Sequence, residues 1–462
     1  MDFTPLKIYN MTKVSKKSQK SQELNLEVKN ANAAGIDISA TEHQVCVPSD
    51  RDSDSNRTFG VYTDDLHKIS DWLKKCRIQT VAMESTGIYW GPIFRVLIED
   101  GFDVVLVNAY DVKNFSGRKT DASDAEWLMV LHSYGLLRPC HQLDNATREI
   151  RDLIRLRTTH VRSASREVLH VQKAMEQMNL KLDNVFSDIL GKSGQAIINA
   201  ILSGERDSKK LASLADSRCH KSKEEIEQSL HATWDKQYLF AMRQSNEAYK
   251  FYLQQIDECD EQIEKTISQY VNMQDKCSKV LVRSKKRRQK KSSLNFDIER
   301  QAQQIWHTNA MLIPGINEVS LLGLLGELGT NFTKDFPTVK QFVSWANLVP
   351  NNKISGGALL SSKVPKKKNP VGIIFRICAN TQQKAANSFG YFFRHMKAKG
   401  GHKYAIVATA KKIATIFYNL VKNEEDYNEN TYIKNRKTIL ENKIEFYKRK
   451  LEKMEQEYAV CL

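Results

Sequence analysis

The stretch between Ala33 and Asn108 constrains the fold most, because three closely spaced strand patterns there give way to helix–strand alternation. AAGIDIS (33–39), HQVCVPS (43–49) and RTFGVYT (57–63) are short runs separated by polar turns. A helical period over Asp64–Cys76 follows, then the strand TVAMES (80–85), a helix over Ile88–Glu99 and the strand DVVLVN (103–108). This order predicts a mixed sheet covered by helices, an α/β domain that ends near Pro139.

A chain of 462 residues is too long for one ordinary core, so roughly two to four units are expected. Residues 1–31 read as a flexible basic arm and 32–140 as the α/β domain. Residues 141–282 read as a helical, coiled-coil domain, followed by a basic linker at 283–300. A mostly helical C-terminal domain takes 301–425, and 426–462 is a coiled-coil tail. In that tail Leu440, Ile444, Tyr447, Leu451, Met454 and Tyr458 alternate at spacings of four and three, the seam of a short coiled coil and a hint of self-association.

Charge narrows the partner. Lys and Arg number 70 against 54 Asp and Glu, a net charge of +16. Such an excess favours a polyanion, nucleic acid before membrane, because each cation placed on a phosphate releases counterions. The eight cysteines are scattered with no C-x-x-C pair, which excludes a zinc framework and a dense disulfide scaffold. The N-terminal twenty residues lack the apolar run of a signal peptide, and no segment reads as a membrane span. A reducing cytoplasm fits best.

On the helix over Arg148–Met178, Ile150, Ile154, Val161, Val168 and Met175 fall on one face. Arg148, Arg151, Arg155, Arg162 and Arg166 fall opposite, within an arc of about 60°. Five like charges on one stripe suit phosphates, or else a solvated face paired with Glu149, Asp152 and Glu167. The run RSKKRRQKKSS (283–293) reads as a solvated linker or a nucleic-acid-binding arm.

Four acids stand out. Asp37 lies mid-strand among apolar neighbours in GIDIS, where an ionised carboxylate is costly unless a cation or hydrogen bonds meet it. Glu84 ends a strand in VAMESTG, and Asp121 and Asp124 lie three apart in KTDASDAEWL, on one face if helical. Two strand acids and two from one helical turn can converge at a sheet edge. Hard divalent cations take oxygen ligands, and a pair of them stabilises both the attacking and the leaving oxygen of a phosphoryl transfer. Taken singly, Asp124 also reads as a helix-face acid, Asp121 as a helix cap and Glu84 as a solvated strand end.

Further on, LIPGINEVSLLGLLGELG (312–329) reads as a Pro-Gly turn and an amphipathic helix whose amides can touch phosphate. In FVSWANLVPNNKISGGALLSSKVPKKKNP (342–370), Ser355 precedes two glycines, with Lys353 before it and Lys363, Lys366, Lys367 and Lys368 after it. Glycines let the backbone crowd a large substrate, and cations stabilise a pentavalent phosphate. On residue types alone Ser-Gly-Gly is also an ordinary turn, and Ser361 and Ser362 are equal candidates.

The order GIDIS, MESTGIYW, KTDASDA resembles the DEDD, RuvC-like nuclease domain of the IS110 family of insertion-sequence transposases. VFSDILGKSGQAIINAILSGE (185–205), IPGINEVSLLGLLGELG, FVSWANLVPNNKISGGALL and GHKYAIVATAKKIATIFYNL (401–420) resemble it too, so the likeness covers most of residues 33–425. The resemblance implies an RNase H-like fold with Asp37, Glu84, Asp121 and Asp124 binding Mg²⁺, and Ser355 as nucleophile. It also implies cutting and joining of donor and target DNA through a phosphoserine link, in a homo-oligomer of dimers assembling into a tetramer. A structured non-coding bridge RNA would act as guide, and the arginine stripe and the 283–293 run would suit it. The insert at 283–293 and the tail are longer than the family pattern, and Ala358 stands where a basic residue is common. Two other readings stand beside this one: a hydrolytic nuclease of the Holliday-junction-resolvase kind using the same acids and water, and a non-enzymatic RNA-binding scaffold.

Overall fold

The computed structural model describes residues 27–85, 87–108, 112, 123–272, 280, 283, 284, 293–365 and 368–460. The chain divides into two compact units, Met1–Gln142 and Leu143–Leu462.

The first unit is the expected mixed α/β layer. Its strands are β1 (Ala33–Ile38), β2 (His43–Cys46), β3 (Asn56–Phe59), β4 (Thr80–Glu84) and β5 (Asp103–Val107), in the spatial order β3-β2-β1-β4-β5. β1, β2 and β3 pair antiparallel, as tight connections allow, whereas β4 and β5 run parallel to β1 after helical crossovers. Helices α1 (Thr63–Lys75) and α2 (Trp90–Glu99) supply those crossovers. Ile69, Trp72, Leu73, Ile93 and Leu97 from the two helices pack on Ile36, Val81 and Met83 of the sheet. Helix α3 (Asp124–Ser133) covers the opposite face. That approach depends on Gly35, where a Cβ would stand 2.2 Å from the Ala125 carbonyl oxygen and 2.4 Å from the Met129 nitrogen.

In the second unit, α4 (Asn145–Gln177) and, after α5 (Leu182–Val185), α6 (Lys192–Leu202), α7 (Ser208–Ser213) and α8 (Lys223–Ser229), α9 (Lys236–Asn272) form a long helical hairpin. Two cores are strung along it. One joins the distal halves of α4 and α9 to the short helices through Val171, Met175, Ile197, Ile201 and Met242. The other takes Ile150, Ile154, Ile263 and Ile267 into the C-terminal helices. α4 and α9 thus belong to both cores. Between the two cores, Arg157 donates to Asp260 through Nε and again through Nη2 (3.0 Å), with the side chains 4% and 1% exposed. A buried pair of this kind fixes the axial register of the two helices.

The C-terminal core continues through α10 (Ile298–Trp306), α11 (Glu318–Leu328), α12 (Phe332–Asp335) and α13 (Val339–Trp345). The hairpin β6 (Asn351–Ser355) and β7 (Ala358–Lys363) comes next, then α14 (Pro370–Asn380) and α15 (Ser388–Asn423). Trp306, Phe332, Phe342, Phe375, Phe417 and Tyr418 make an aromatic cluster at its centre. α11 buries Ser320, Leu321, Leu322, Leu324, Leu325, Gly326 and Leu328, so the core share of this run outweighs its amphipathic character. α15 is interrupted at Gly400–Gly401, where Gly401 has φ 79° and ψ −179°, a combination open essentially to glycine. The last helix, α16 (Glu429–Val460), leaves Leu440, Ile444, Tyr447, Leu451 and Met454 exposed; the Tyr458 side chain lies outside the described ones.

Candidate functional site

Strand alternation sets the geometry of the acidic edge. Ile36, Ile38, Val81 and Met83 face α1 and α2, so Gly35, Asp37 and Glu84 face α3. β1 and β4 pair Ile36 with Met83, and one further step in that register sets Asp37 beside Glu84 at the carboxyl ends of parallel strands. Open α/β sheets bind ligands at that end. The edge is braced. The Ser39 hydroxyl donates to the Glu42 carbonyl (2.8 Å), which closes the turn after β1, and the Ser85 amide donates to the Val107 carbonyl (2.9 Å) just past Glu84.

Asp124 opens α3, exposed, in the first turn, where the helix dipole favours an anion. The Ser123 hydroxyl caps this turn by accepting from the Glu126 amide (3.1 Å), and it accepts as well from Asn56 Nδ2 (3.0 Å) on β3. The approach of α3 over Gly35 brings the Asp124 end toward the edge that holds Asp37 and Glu84. Asp121 lies outside the described residues. Among the described residues no three His, Cys, Asp or Glu side chains come together closely enough to hold an ion. The donors on this face nonetheless suit a hard cation, being carboxylates. Burial, with Glu126 nearby, pushes the thiol of Cys46, opposite Gly35 on β2, up to about 12.

Ser355 belongs to a different construction. The β6–β7 hairpin closes through Gly356 (φ 55°) and Gly357 (φ 80°), the paired positive φ values of a type I′ turn. Ser355 pairs with Ala358 directly before that turn, and every β6 residue is exposed. Alternation sets Lys353 on the serine's face, with Lys363 further down across from Asn351. A bulge between Lys353 and Ile354 twists the tip and leaves Ile354, Leu359 and Leu360 exposed. Lys368 is exposed; Lys366 and Lys367 lie outside the described residues.

The base of the hairpin is rigid where its tip is not covered. Asn369 donates to the Trp345 carbonyl (3.0 Å) and accepts from the Gly372 amide (3.0 Å), and Arg376 donates to the Asn347 carbonyl (2.6 Å). A Cβ on Gly372 would meet the Ala346 carbonyl oxygen at 2.0 Å.

Two family models match the chain. A DEDD transposase model of the IS110 type covers residues 34–180, with Asp37, Glu84, Asp121 and Asp124 inside it. A second, described as Transposase IS116/IS110/IS902 family, covers 307–371 and includes the Ser355 hairpin. The two matches support an IS110-family transposase. The chain is therefore an enzyme that acts on DNA, and its DEDD domain points to divalent metal use. No curated protein matches the chain. No helix among the described residues is long and apolar enough to cross a membrane.

The arginine stripe of the transposase is divided. Arg155 makes a two-pronged bond to Glu327 (both 3.0 Å), Arg148 donates to the Leu143 carbonyl (3.3 Å), and Arg151 is half-buried beside them. Burial, then the neighbouring Arg155, lowers the Arg151 pKa. α11 packs there because Gly326 lets Ile154 within 2.7 Å of where a Cβ would be. Arg162 and Arg166 are exposed. Of the basic run, Arg283 is tied to Asp297 (2.8 Å through Nη1), while 285–292 lies outside the described residues.

Sequence reasoning passed over three features of the transposase. Gly35 and the Ser123–Asn56 contact position α3, and the S-x-x-E pattern of Ser123 and Glu126 was the available signal. From Phe336 to Asn423 there is no Asp or Glu, whereas fifteen Lys and Arg fall in that stretch. Nearly all of the chain's surplus charge therefore sits in the segment that carries Ser355.

Proposed function

We propose that this transposase cuts and rejoins DNA through a phosphoserine at Ser355, with Asp37, Glu84, Asp121 and Asp124 as the acidic half of the site. The observation that carries this reading is Ser355 beside a glycine turn, exposed and flanked by Lys353, within a segment free of acids.

In the step proposed, Ser355 Oγ attacks a DNA phosphorus. A P–Oγ bond forms, the bond to a bridging strand oxygen breaks, and the strand end leaves as a hydroxyl, taking up a proton as the serine gives one up. Attack by a strand end reverses the sequence and restores the serine. The ester conserves the bond energy, which fits the absence of a G-x-x-x-x-G-K-[ST] loop. Lys353 and Lys363 would offset charge on the phosphate. Asp37, Glu84, Asp121 and Asp124 would hold Mg²⁺, which supplies Lewis-acid stabilisation of the phosphate oxygens when bound. A structured guide RNA would meet the exposed Arg162 and Arg166, and the seam of α16 would support assembly of copies in the cytoplasm.

The deciding experiment mixes the protein, its element's flanking RNA, Mg²⁺ and labelled junction DNA, and reads a denaturing gel. A protein–DNA adduct lost in both Ser355→Ala and Asp121→Ala supports the reading. Free cut DNA that Ser355→Ala leaves unchanged would mean hydrolysis at the acidic edge and would remove the serine assignment.

A further inference from the structure

The β6–β7 hairpin has two unlike faces, and its register sorts them. Ser355 pairs with Ala358 and Lys353 with Ser361, which sets these four on one face. Ile354 pairs with Leu359 on the other, behind the serine. Both are uncovered, Ile354 65% and Leu359 58% exposed, and so is Leu360 at 69%, beside Leu359 at the bulge. One step nearer the base, that same face turns polar at the pair Asn352 and Ser362. A hairpin laid on the body of its own protein would be apolar along its length, whereas here the apolar patch is confined to the tip. Large apolar side chains left together in water mark a contact surface.

What covers the patch follows from charge and shape. The hairpin carries Lys353 and Lys363 and lies in the segment from Phe336 to Asn423 that holds no Asp or Glu. A second copy brought tip to tip would oppose like charges. A nucleic-acid strand instead offers phosphate to the cations and apolar base faces to Ile354 and Leu359. No Phe, Tyr or Trp lies between Asn351 and Lys363, so the tip lacks the aromatic platform on which single strands stack. Aliphatic side chains serve another purpose: inserted at a base step, they part it and kink the duplex. Ser355, Gly356, Gly357 and Ala358 add little side-chain bulk, so the end that would enter is thin.

We infer that Ile354 and Leu359, with Leu360 beside them, form a wedge that unstacks one base step of the DNA at the junction being recombined. They are positioning residues. They touch no reacting atom, and they hold the step open so that the opposite face of the hairpin meets the backbone of one strand. The inference rests on the proposed function only in placing this hairpin at the junction; the chemistry of Ser355 does not enter it.

The test mixes the full chain and its element's flanking RNA with junction DNA that carries the fluorescent base aminopurine at the junction, and follows binding by anisotropy. Wild-type binding should raise the aminopurine signal, as unstacking of that base requires. Ile354→Thr with Leu359→Thr keeps strand propensity and should bind within about threefold of wild type, since phosphate contacts dominate affinity, while losing most of the rise. Single-turnover cleavage of the paired duplex should fall on the order of a hundredfold. A duplex mismatched at that step should restore the rate to within about threefold, because its bases are already loosened. Asn352→Thr with Ser362→Thr, on the same face nearer the base, should change neither readout. No rise with wild type, or a rise that the Ile354 and Leu359 variant keeps, overturns the inference. So does a cleavage loss that the mismatch does not relieve, which would make the role structural. A fall in mass by light scattering would overturn it too, by making the patch a contact between copies. A rise lost in the variant, in a protein that forms no adduct, would keep the wedge and remove the serine reading; an adduct without any rise would do the opposite.

Discussion

Gly35→Ala is expected to disable the acidic edge while leaving nucleic-acid binding by the other unit intact. The added methyl would stand 2.2 Å from one backbone atom of α3 and 2.4 Å from another, with Leu128 Cβ at 3.0 Å. Ordinary carbon contacts begin near 3.5 Å, so α3 must retreat by about 1 Å or the sheet must bend by as much. Overpacking of this sort costs about 1–3 kcal/mol of stability. The larger effect falls on chemistry, because α3 begins at Asp124 and a misplacement of about 1 Å at a reacting centre costs on the order of a hundredfold in rate. Single-turnover strand cleavage in Mg²⁺, with binding measured separately, reads both quantities. A Gly35→Ala protein that cleaves within about threefold of wild type at unchanged melting temperature would refute the claim that this contact sets the site.

Other expectations are more local. Removing one partner of the buried Arg157–Asp260 pair, as in Asp260→Asn, should cost about 3–5 kcal/mol, and Arg157→Met with Asp260→Leu should recover most of it; urea midpoints of the three proteins decide. At the hairpin, Gly356→Asn should retain cleavage because Asn tolerates the type I′ conformation, whereas Gly357→Val should lose it. Burial holds the pKa of His132 and of His43 below the usual 6.5. Both are neutral when folded, so their contribution is present above about 6.5 and is lost as pH falls through the lowered folded values. The N-terminal unit should melt earlier below pH ~6.5, and His132→Gln should weaken that dependence. For the tail, Ile444→Glu with Leu451→Glu should reduce the mass measured by light scattering if α16 joins copies of the chain.

The strands and crossover helices of the first unit were legible because each carries its period within a few residues. Asp37 was legible for the same reason, as a carboxylate set where alternation demands an apolar side chain. What brings the edge together was not, since nothing local marks Gly35 as the point where a helix some ninety residues later must touch. The arginine stripe was legible only in part. Helical arithmetic placed five cations on one face correctly, but it could not show that Glu327 and Gly326, far along the chain, would bring α11 onto the first three. The apolar density of LLGLLGEL marks much of it as core, but not that its glycines are the contact points for Ile374 and Ile154. That Ser355, unlike Ser361 and Ser362, pairs directly beside the turn is a fact of register that residue types do not carry.

The hairpin's isolation has a kinetic meaning. Two strands without a covering layer are marginal in water, and here the rigid part is the base, at Asn369 and Arg376, not the end that bears the hydroxyl. Ordering that end costs about 1–2 kcal/mol for each residue fixed, and contact with a correct target offsets the cost. On the proposed reading of Ser355 as nucleophile, a stray duplex that offers fewer contacts meets a hydroxyl whose aim it has not stabilised, and fidelity is then enforced before any bond is made.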